Sequence, residues 1–432
     1  MSRNTFFSDC KYLLILWSTQ ALSQLGSSMT GFALVLWSYS QYGSALTTAL
    51  LTVCSYAPYV LLSIFAGALS DRWDKKRTML LCDSLAALCT VGVLGLWMTG
   101  GLRMGHLYLI NALNGLMNTV QQPASDVAVS LLTPREHYQR VGGLRAFSSS
   151  LVSLLSPVCA AALYGLFGLG AVIWFDLATF ALAALSLLLF IPIPKAGTGE
   201  EAQESVLRSA KSGLRYLREH RGVLDLILFL AVINLTASMF NAALPALLIP
   251  KGGEQALGLV QTCTGLASLA GGALAAALPA PKSRVRVVCN SLLFSMSTEN
   301  FLLALGGSLP VWCVAGVLGW IFIPIMNANM DVLLRTHIPV EIQGRVYAAR
   351  NTLQFFTIPV GYLLGGVLVD RVFEPFMAGQ DPGGVLCRIF GTGKGAGAAL
   401  FFLVIGVFGA LSCLPARRDK HIWALEEKNS SQ

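Results

Sequence analysis

Residues 111–122 read NALNGLMNTVQQ, inside a long apolar run. Asn111, Asn114, Asn118, Gln121 and Gln122 fall three or four positions apart, on one face of a helix. Each amide offers two N–H donors and an acceptor, without charge. Five amides turned to hydrocarbon are costly, so this face must look at protein or water. The stripe is expected to form a cavity wall, with Met117 adding an apolar surface. Hydrogen bonding between helices, without ligand contact, is the plainer reading.

A second kind of chemistry comes from carboxylates inside apolar runs. They are Asp83, Asp126, Asp176, Glu299 and Asp331. A carboxyl group shielded from water can hold and release a proton as its surroundings change. Asp126, Glu299 and Asp331 are the candidates for proton coupling, with Asp126 and Glu299 the stronger. Asp83 and Asp176 lie near run ends, where water is expected to solvate them.

A third stretch, GALSDRWDKKR at 67–77, sets an acid and a basic cluster between two apolar runs. Other motifs fail on inspection. GTGKG at 391–395 lacks the leading glycine of a phosphate-binding loop, because Arg388 stands there. The five histidines show no metal-ligand spacing, and there is no nucleophile elbow or His-Glu-x-x-His. No cofactor, no metal and no enzymatic activity are expected.

The elements that must position these groups follow from composition. The chain has 432 residues, 55% hydrophobic and 12% charged, against roughly 25% charged in soluble domains. Apolar runs near 20 residues are long enough to cross a bilayer as helices, and no ten-residue barrel alternation is present. Twelve spans are expected, near 12–38, 45–70, 78–98, 105–132, 141–167, 170–194, 223–249, 256–279, 285–306, 310–335, 345–369 and 395–415. The ten cysteines lie mostly inside these runs, without a C-x-x-C pair, and read as small core hydrophobes. The first run, from about Tyr12, is long enough to remain as a span rather than a cleaved signal.

Basic residues alternate by loop. One set holds Arg3, Lys11, Arg72, Lys75, Lys76, Arg77, Arg135, Arg140, the 195–221 segment, Lys282, Arg284, Arg286, Arg335, Arg417, Arg418 and Lys420. The opposite set holds only Arg103, Lys251, Arg371, Arg388 and Lys394. The positive-inside rule puts the first set, and both termini, in the cytoplasm. The net charge of +8 therefore reflects topology, and nucleic acid is not expected as a partner. Residues 1–194 are read as an N-terminal six-helix bundle, and 223–432 as a C-terminal one with a cytoplasmic tail. Between them, 195–222 is read as a cytoplasmic linker. Val206, Leu207, Ala210, Leu214 and Leu217 recur at helical spacing opposite Arg208, Lys211, Arg215 and Arg218. That pattern suits a helix on the membrane surface or a solvated linker helix.

The two halves are repeats. DVAVSLLTPREHYQRVGGLR at 126–145 aligns without gaps with DVLLRTHIPVEIQGRVYAAR at 331–350, an offset of 205. Seven positions agree, among them Asp126/Asp331, Arg140/Arg345, Val141/Val346 and Arg145/Arg350. The same offset lays Gly67-Ala68-Leu69 onto Gly272-Ala273-Leu274. Arg145 and Arg350 are placed to pair with Asp126 and Asp331 within their own halves. Repeated halves of this kind suit a secondary transporter with a site near the membrane midplane.

GALSDRWDKKR resembles the signature G-x-L-x-D-R-x-x-[KR]-[KR] between helices 2 and 3 of the major facilitator superfamily, matched by Gly67, Leu69, Asp71, Arg72, Lys75 and Lys76. LLILWSTQALSQLGSSM at 13–29, SGLRYLREH at 212–220 and PVGYLLGGVLVDRVFEPFM at 359–377 are similar to its macrolide-efflux branch. The resemblance implies an all-α fold of twelve transmembrane helices in two pseudo-symmetric six-helix bundles. It implies a conformational gate of Gly67, Asp71, Arg72, Lys75, Lys76 and Arg345, in which Asp71 meets the start of helix 11 and the basic cluster also anchors to headgroups. A carboxylate at a helix N-terminus gains roughly 0.3–2 kcal/mol. It implies a cavity lined by helices 1, 4, 7 and 10, which carry Gln20, Gln24, Asn111, Asn114, Asn118, Gln121, Asn234, Asn241, Asn327 and Asn329, with Met239, Phe240, Trp320 and Met326 near.

Departures are visible too. Ala276 and Ala277 replace Asp71 and Arg72 in the second half, helix 4 lacks the arginine of many proton-coupled exporters, and Pro157 stands in helix 5 without its usual glycines. The implied function is proton-coupled export of hydrophobic or amphipathic small molecules, macrolide-like drugs included, by alternating access. The alternatives are export of a siderophore, lysophospholipid or metabolite, or a sensor that does not transport. The implied partners are a small-molecule substrate, protons and membrane lipid. The implied state is a monomer in the cytoplasmic (inner) cell membrane.

Overall fold

A computed structural model describes residues 10–134, 138–193, 214–339 and 343–427; the side chains of some helical stretches, 63–72 among them, lie outside the description. The described chain is helical, with no strand among the described residues. Helices α1 (Lys11–Tyr42), α2 (Ala45–Arg72), α3 (Lys75–Met98) and α4 (Met104–Leu132) follow one another through short turns. Two very long runs come next, α5 (Tyr138–Phe190) and α6 (Arg221–Ala277). Each is broken by one glycine in a conformation open to few other residues, Gly168 at φ 77° and Gly253 at φ 77°. After them come α7 (Arg284–Leu305), α8 (Leu309–Trp320), α9 (Ile323–His337), α10 (Gln343–Phe355) and α11 (Thr357–Leu368). A π-turn at Val369–Phe373 leads to α12 (Glu374–Ala378), then α13 (Val385–Phe390), α14 (Ala396–Arg418) and α15 (Lys420–Glu427).

Eight helical stretches among the described residues are long and apolar enough to cross a membrane. Two of them, Phe147–Phe190 and Arg221–Ala275, run 44 and 55 residues, the length of two crossings, and contain Gly168 and Gly253. Helices α1 and α4 are not among the eight. Their sequences explain it: α1 carries Ser18, Thr19, Gln20, Ser23, Gln24, Ser27 and Ser28, and α4 carries the amide stripe. Large apolar side chains such as Leu61, Leu88, Leu166 and Leu189 are exposed on the helix surfaces, as lipid contact requires.

The chain divides into two compact units, Met1–Ser38 with Cys54–Gln203, and Tyr39–Val53 with Glu204–Gln432. In the first, Leu16, Met79, Ala124, Ala128, Leu187 and Ile191 form a buried cluster joining α1, α3, α4 and the end of α5. The GALSDRWDKKR stretch contributes to that end of the unit. Asp74 caps α3 by accepting from the Arg77 amide at 2.9 Å. Lys76 Nζ donates to the Leu188 and Ile191 carbonyls, at 3.1 and 2.8 Å, at the close of α5. Lys75 is buried and Arg77 exposed. Two lysines expected at headgroups are therefore engaged within the unit.

In the second unit, Leu226, Val288, Leu292, Leu333, Val346 and Cys413 belong to one large buried cluster spanning α6, α7, α9, α10 and α14. Phe240 and Phe402 meet edge-on, with ring centroids 5.2 Å apart. Of the expected linker helix, only Leu214–Glu219 is described as helical. Leu217 joins the buried cluster, and Tyr216 Oη donates to the His337 carbonyl at 2.6 Å. This end of the linker packs on the protein through Tyr216 and Leu217.

Candidate functional site

The polar faces of α1 and α4 meet inside the first unit. They enclose, with α3 and α5, a cavity of about 550 Å³. Gln20, Ser23, Gln24, Ser27 and Ser28 come from α1, and Asn118, Gln121, Gln122 and Ser125 from α4. Asp83 comes from α3, and Arg145, Ser148 and Ser149 from α5. Leu13, Leu16, Trp17, Ala21, Val129, Val141 and Leu144 supply an apolar wall. The composition is that of a ligand pocket: apolar area with a few orienting polar groups.

Asp83 is the centre of the polar network. Gln20 Nε2 donates to its Oδ2 at 3.3 Å, and Gln121 Nε2 to its Oδ1 at 2.5 Å. Asp83 is half-buried and faces the cavity. Asp83 stands eight residues into α3, about 12 Å along its axis, and the cavity reaches that depth. The sequence marks the two glutamines as cavity residues but not the acid between them. Only a view of three helices together brings the three side chains into one place.

Other groups in the cavity have defined roles. Arg145 forms an ion pair with Asp126, as the repeat suggested. Trp17 Nε1 and Ser148 Oγ are buried without a hydrogen-bond partner among the described residues. Two of the amides are not in the cavity lining. Asn111 turns back to the Leu107 carbonyl at 2.9 Å, and Asn114 Oδ1 is buried without a partner among the described residues. Asp176 is 4% exposed and accepts from Ser27 at 3.0 Å, so it is buried rather than solvated.

In the second unit the expected residues are dispersed. Asn234 donates to the Gln354 carbonyl at 3.4 Å and Asn241 to Ala237 O at 2.9 Å. Asn327 is exposed, and its neighbour Asn329 accepts from Arg284 at 3.1 Å. Glu299 is buried in α7 beside Gly319 of α8, at a point where a side chain on that glycine would collide with its carboxylate. Asp331 lies 3.9 Å from Arg350, which also donates to Gln354 at 3.0 Å. The side chains of Gly67, Asp71, Arg72 and Arg345 lie outside the described residues.

Comparison with known proteins gives concordant results. The profile of the Major Facilitator Superfamily matches residues 16–280. Macrolide efflux protein A of Streptococcus pyogenes is 22% identical over 83% of this chain and 89% of its own length. Multidrug efflux pump Tap of Mycobacterium tuberculosis is 24% identical over 72% of this chain and 76% of its own. Among solved structures, the nucleoside transporter NupG superposes with a TM-score of 0.68 at 12% identity, over 95% of this chain and 100% of that one.

Proposed function

Since the chain belongs to the Major Facilitator Superfamily, we propose that it exports hydrophobic or amphipathic small molecules across the cytoplasmic membrane by alternating access, driven by protons. That it is a multi-pass membrane transporter of a small molecule follows from the family. The direction and the cargo rest on the efflux proteins among its relatives. The observation that carries the reading is the cavity of about 550 Å³ inside the first unit, lined by apolar side chains and a larger number of neutral amides and hydroxyls, with Asp83 and Arg145. Such a lining accepts a large amphipathic molecule without requiring one fixed hydrogen-bond pattern. The names of the relatives favour drug-like cargo over a siderophore, lysophospholipid or metabolite.

The same reading assigns the remaining parts. Both termini are cytoplasmic, from the loop charges. The motif of Gly67, Asp71, Arg72, Lys75 and Lys76, with Arg345, governs the conformational exchange. Asn234, Asn241 and Asn327 serve the cargo from the second half. Asp126, Glu299 and Asp331 are the candidates to carry the coupling proton, and the working unit is a monomer in lipid.

The test is cellular accumulation of a panel of macrolides and dyes in an efflux-deficient bacterium expressing the wild type or Asp71→Asn, with and without a protonophore. Lower accumulation with the wild type, restored by the protonophore and by Asp71→Asn, is the expected result. No response to any compound in any strain would remove the exporter reading.

A further inference from the structure

The exporter reading leaves open what chemical feature of a cargo the cavity selects. Charge decides this. Two ionic side chains line the cavity, Asp83 and Arg145. Arg145 is already matched by the Asp126 carboxylate. Asp83 has neutral partners, the amides of Gln20 and Gln121. Each amide occupies one acceptor site on one oxygen, and a carboxylate has about four such sites. The cavity therefore holds one carboxylate that is oriented by hydrogen bonds and that no cation among the described residues pairs with.

An unbalanced charge inside a membrane-spanning unit is costly, and an opposite charge brought to it recovers part of that cost. The recovery is larger here than at an open surface, because field lines pass through low-dielectric walls. Apart from Arg145, whose charge is met by Asp126, the rest of the lining consists of hydroxyls, amides and apolar side chains, none of which repels a cation. Trp17 adds an aromatic face on the same helix as Gln20, which suits an organic cation further.

We propose that Asp83 is a specificity-determining residue that selects amphipathic organic monocations, its carboxylate serving as counter-ion while Gln20 and Gln121 hold it in place. The inference rests on the exporter reading but concerns the charge of the cargo rather than its export. A neutral ligand of the same size fills the apolar wall but leaves the charge unmatched, and an organic anion adds a second negative charge beside it.

The experiment uses the purified full chain in lipid nanodiscs and two probes of similar size, tetraphenylphosphonium and neutral triphenylphosphine oxide. Binding is measured by titration for the wild type, Asp83→Asn and Asp83→Glu, with thermal unfolding as the check on folding. The wild type is expected to favour the cation at least tenfold. Asp83→Asn is expected to lower the cation-to-neutral affinity ratio at least tenfold, and Asp83→Glu to restore most of it. Equal affinity of the wild type for both probes overturns the proposal, as does an unchanged ratio in a folded Asp83→Asn. If the wild type still lowers macrolide accumulation in cells after such a result, the exporter reading stands and only the charge selection falls. If it binds neither probe and lowers no accumulation, both fall.

Discussion

Arg350 lies 3.9 Å from the Asp331 carboxylate, and 205 residues earlier Arg145 is paired with Asp126 in the same way. Both pairs join the end of one helix to the start of the next in the alignment, and the valines of the repeat, Val141 and Val346, are buried alike. The repeat thus preserves a contact as well as a sequence. The pairs differ in setting. Both side chains of the first are about half exposed, whereas the Arg350 side chain is 15% exposed and is also held by Gln354.

The difference predicts unequal costs. A double-mutant cycle on Asp331→Asn and Arg350→Gln should give a coupling below about 1 kcal/mol, because the Asp331 side chain is half exposed and solvent screens the pair. Arg350→Gln alone should cost more than Asp331→Asn alone, since it removes the Gln354 bond as well. Thermal unfolding of the four proteins in detergent measures both. A coupling of several kcal/mol would mean that the pair is shielded from solvent.

The start of α2 makes a second prediction. Asp370, in the π-turn after α11, accepts from Ala45 and Leu46 amides, each at 2.9 Å, and from Ser44 Oγ at 2.5 Å. A single carboxylate thereby satisfies two amides that have no partner within their own helix. Asp370→Asn replaces one acceptor with a donor facing those amides. It should lower stability by about 1 kcal/mol, whereas Asp381→Asn, which serves only an exposed local turn through Gly383, should change it little. Equal effects of the two substitutions would show that the cap contributes nothing beyond a surface bond.

Much of this architecture is legible in the sequence because lipid imposes a simple code. Apolar runs near 20 residues mark the helices, and the offset of 205 pairs Asp126 and Arg145 with Asp331 and Arg350 before any coordinates exist. The tight turns at Gly168 and Gly253 fall where the apolar runs hesitate. What is not legible is depth and neighbourhood. Asp83 is close to the end of its run in sequence, yet Gln20 and Gln121, 63 and 38 residues away, reach it across a cavity. Asp176 looks equally peripheral and is buried against Ser27. Asn111 and Asn114 belong to the stripe by spacing, but the cavity is bounded lower on α4, by Asn118, Gln121 and Gln122. Spacing identifies a face; only packing decides how much of it meets the void.

Helix spacing in the first unit gives a third prediction. A side-chain carbon at Gly115 of α4 would lie 2.0 Å from the Ser55 carbonyl oxygen of α2. That oxygen is backbone and cannot turn aside. Gly115→Ala should cost about 1–3 kcal/mol by forcing the helices apart. Gly31→Ala in α1, where nothing lies within 4 Å, should be neutral or slightly stabilising. Thermal midpoints of the two variants separate close approach from helix propensity, and similar midpoints would refute the tight α2–α4 contact.

The last prediction concerns the amides that orient Asp83. If Gln121 acts through the carboxylate, its removal and the removal of the charge cannot be independent. Gln121→Leu alone leaves Asp83 charged with one donor fewer, at a cost on the order of 1.5–3 kcal/mol for a bond to a charged group, reduced by the partial exposure of the site. In an Asp83→Asn background the same substitution removes only a bond between neutral groups, which is worth about 1 kcal/mol. The double variant should therefore be more stable than the sum of the two single changes implies, read by thermal unfolding. Strict additivity would mean that Gln121 supports the helix bundle by itself, and that its hydrogen bond to Asp83 is incidental.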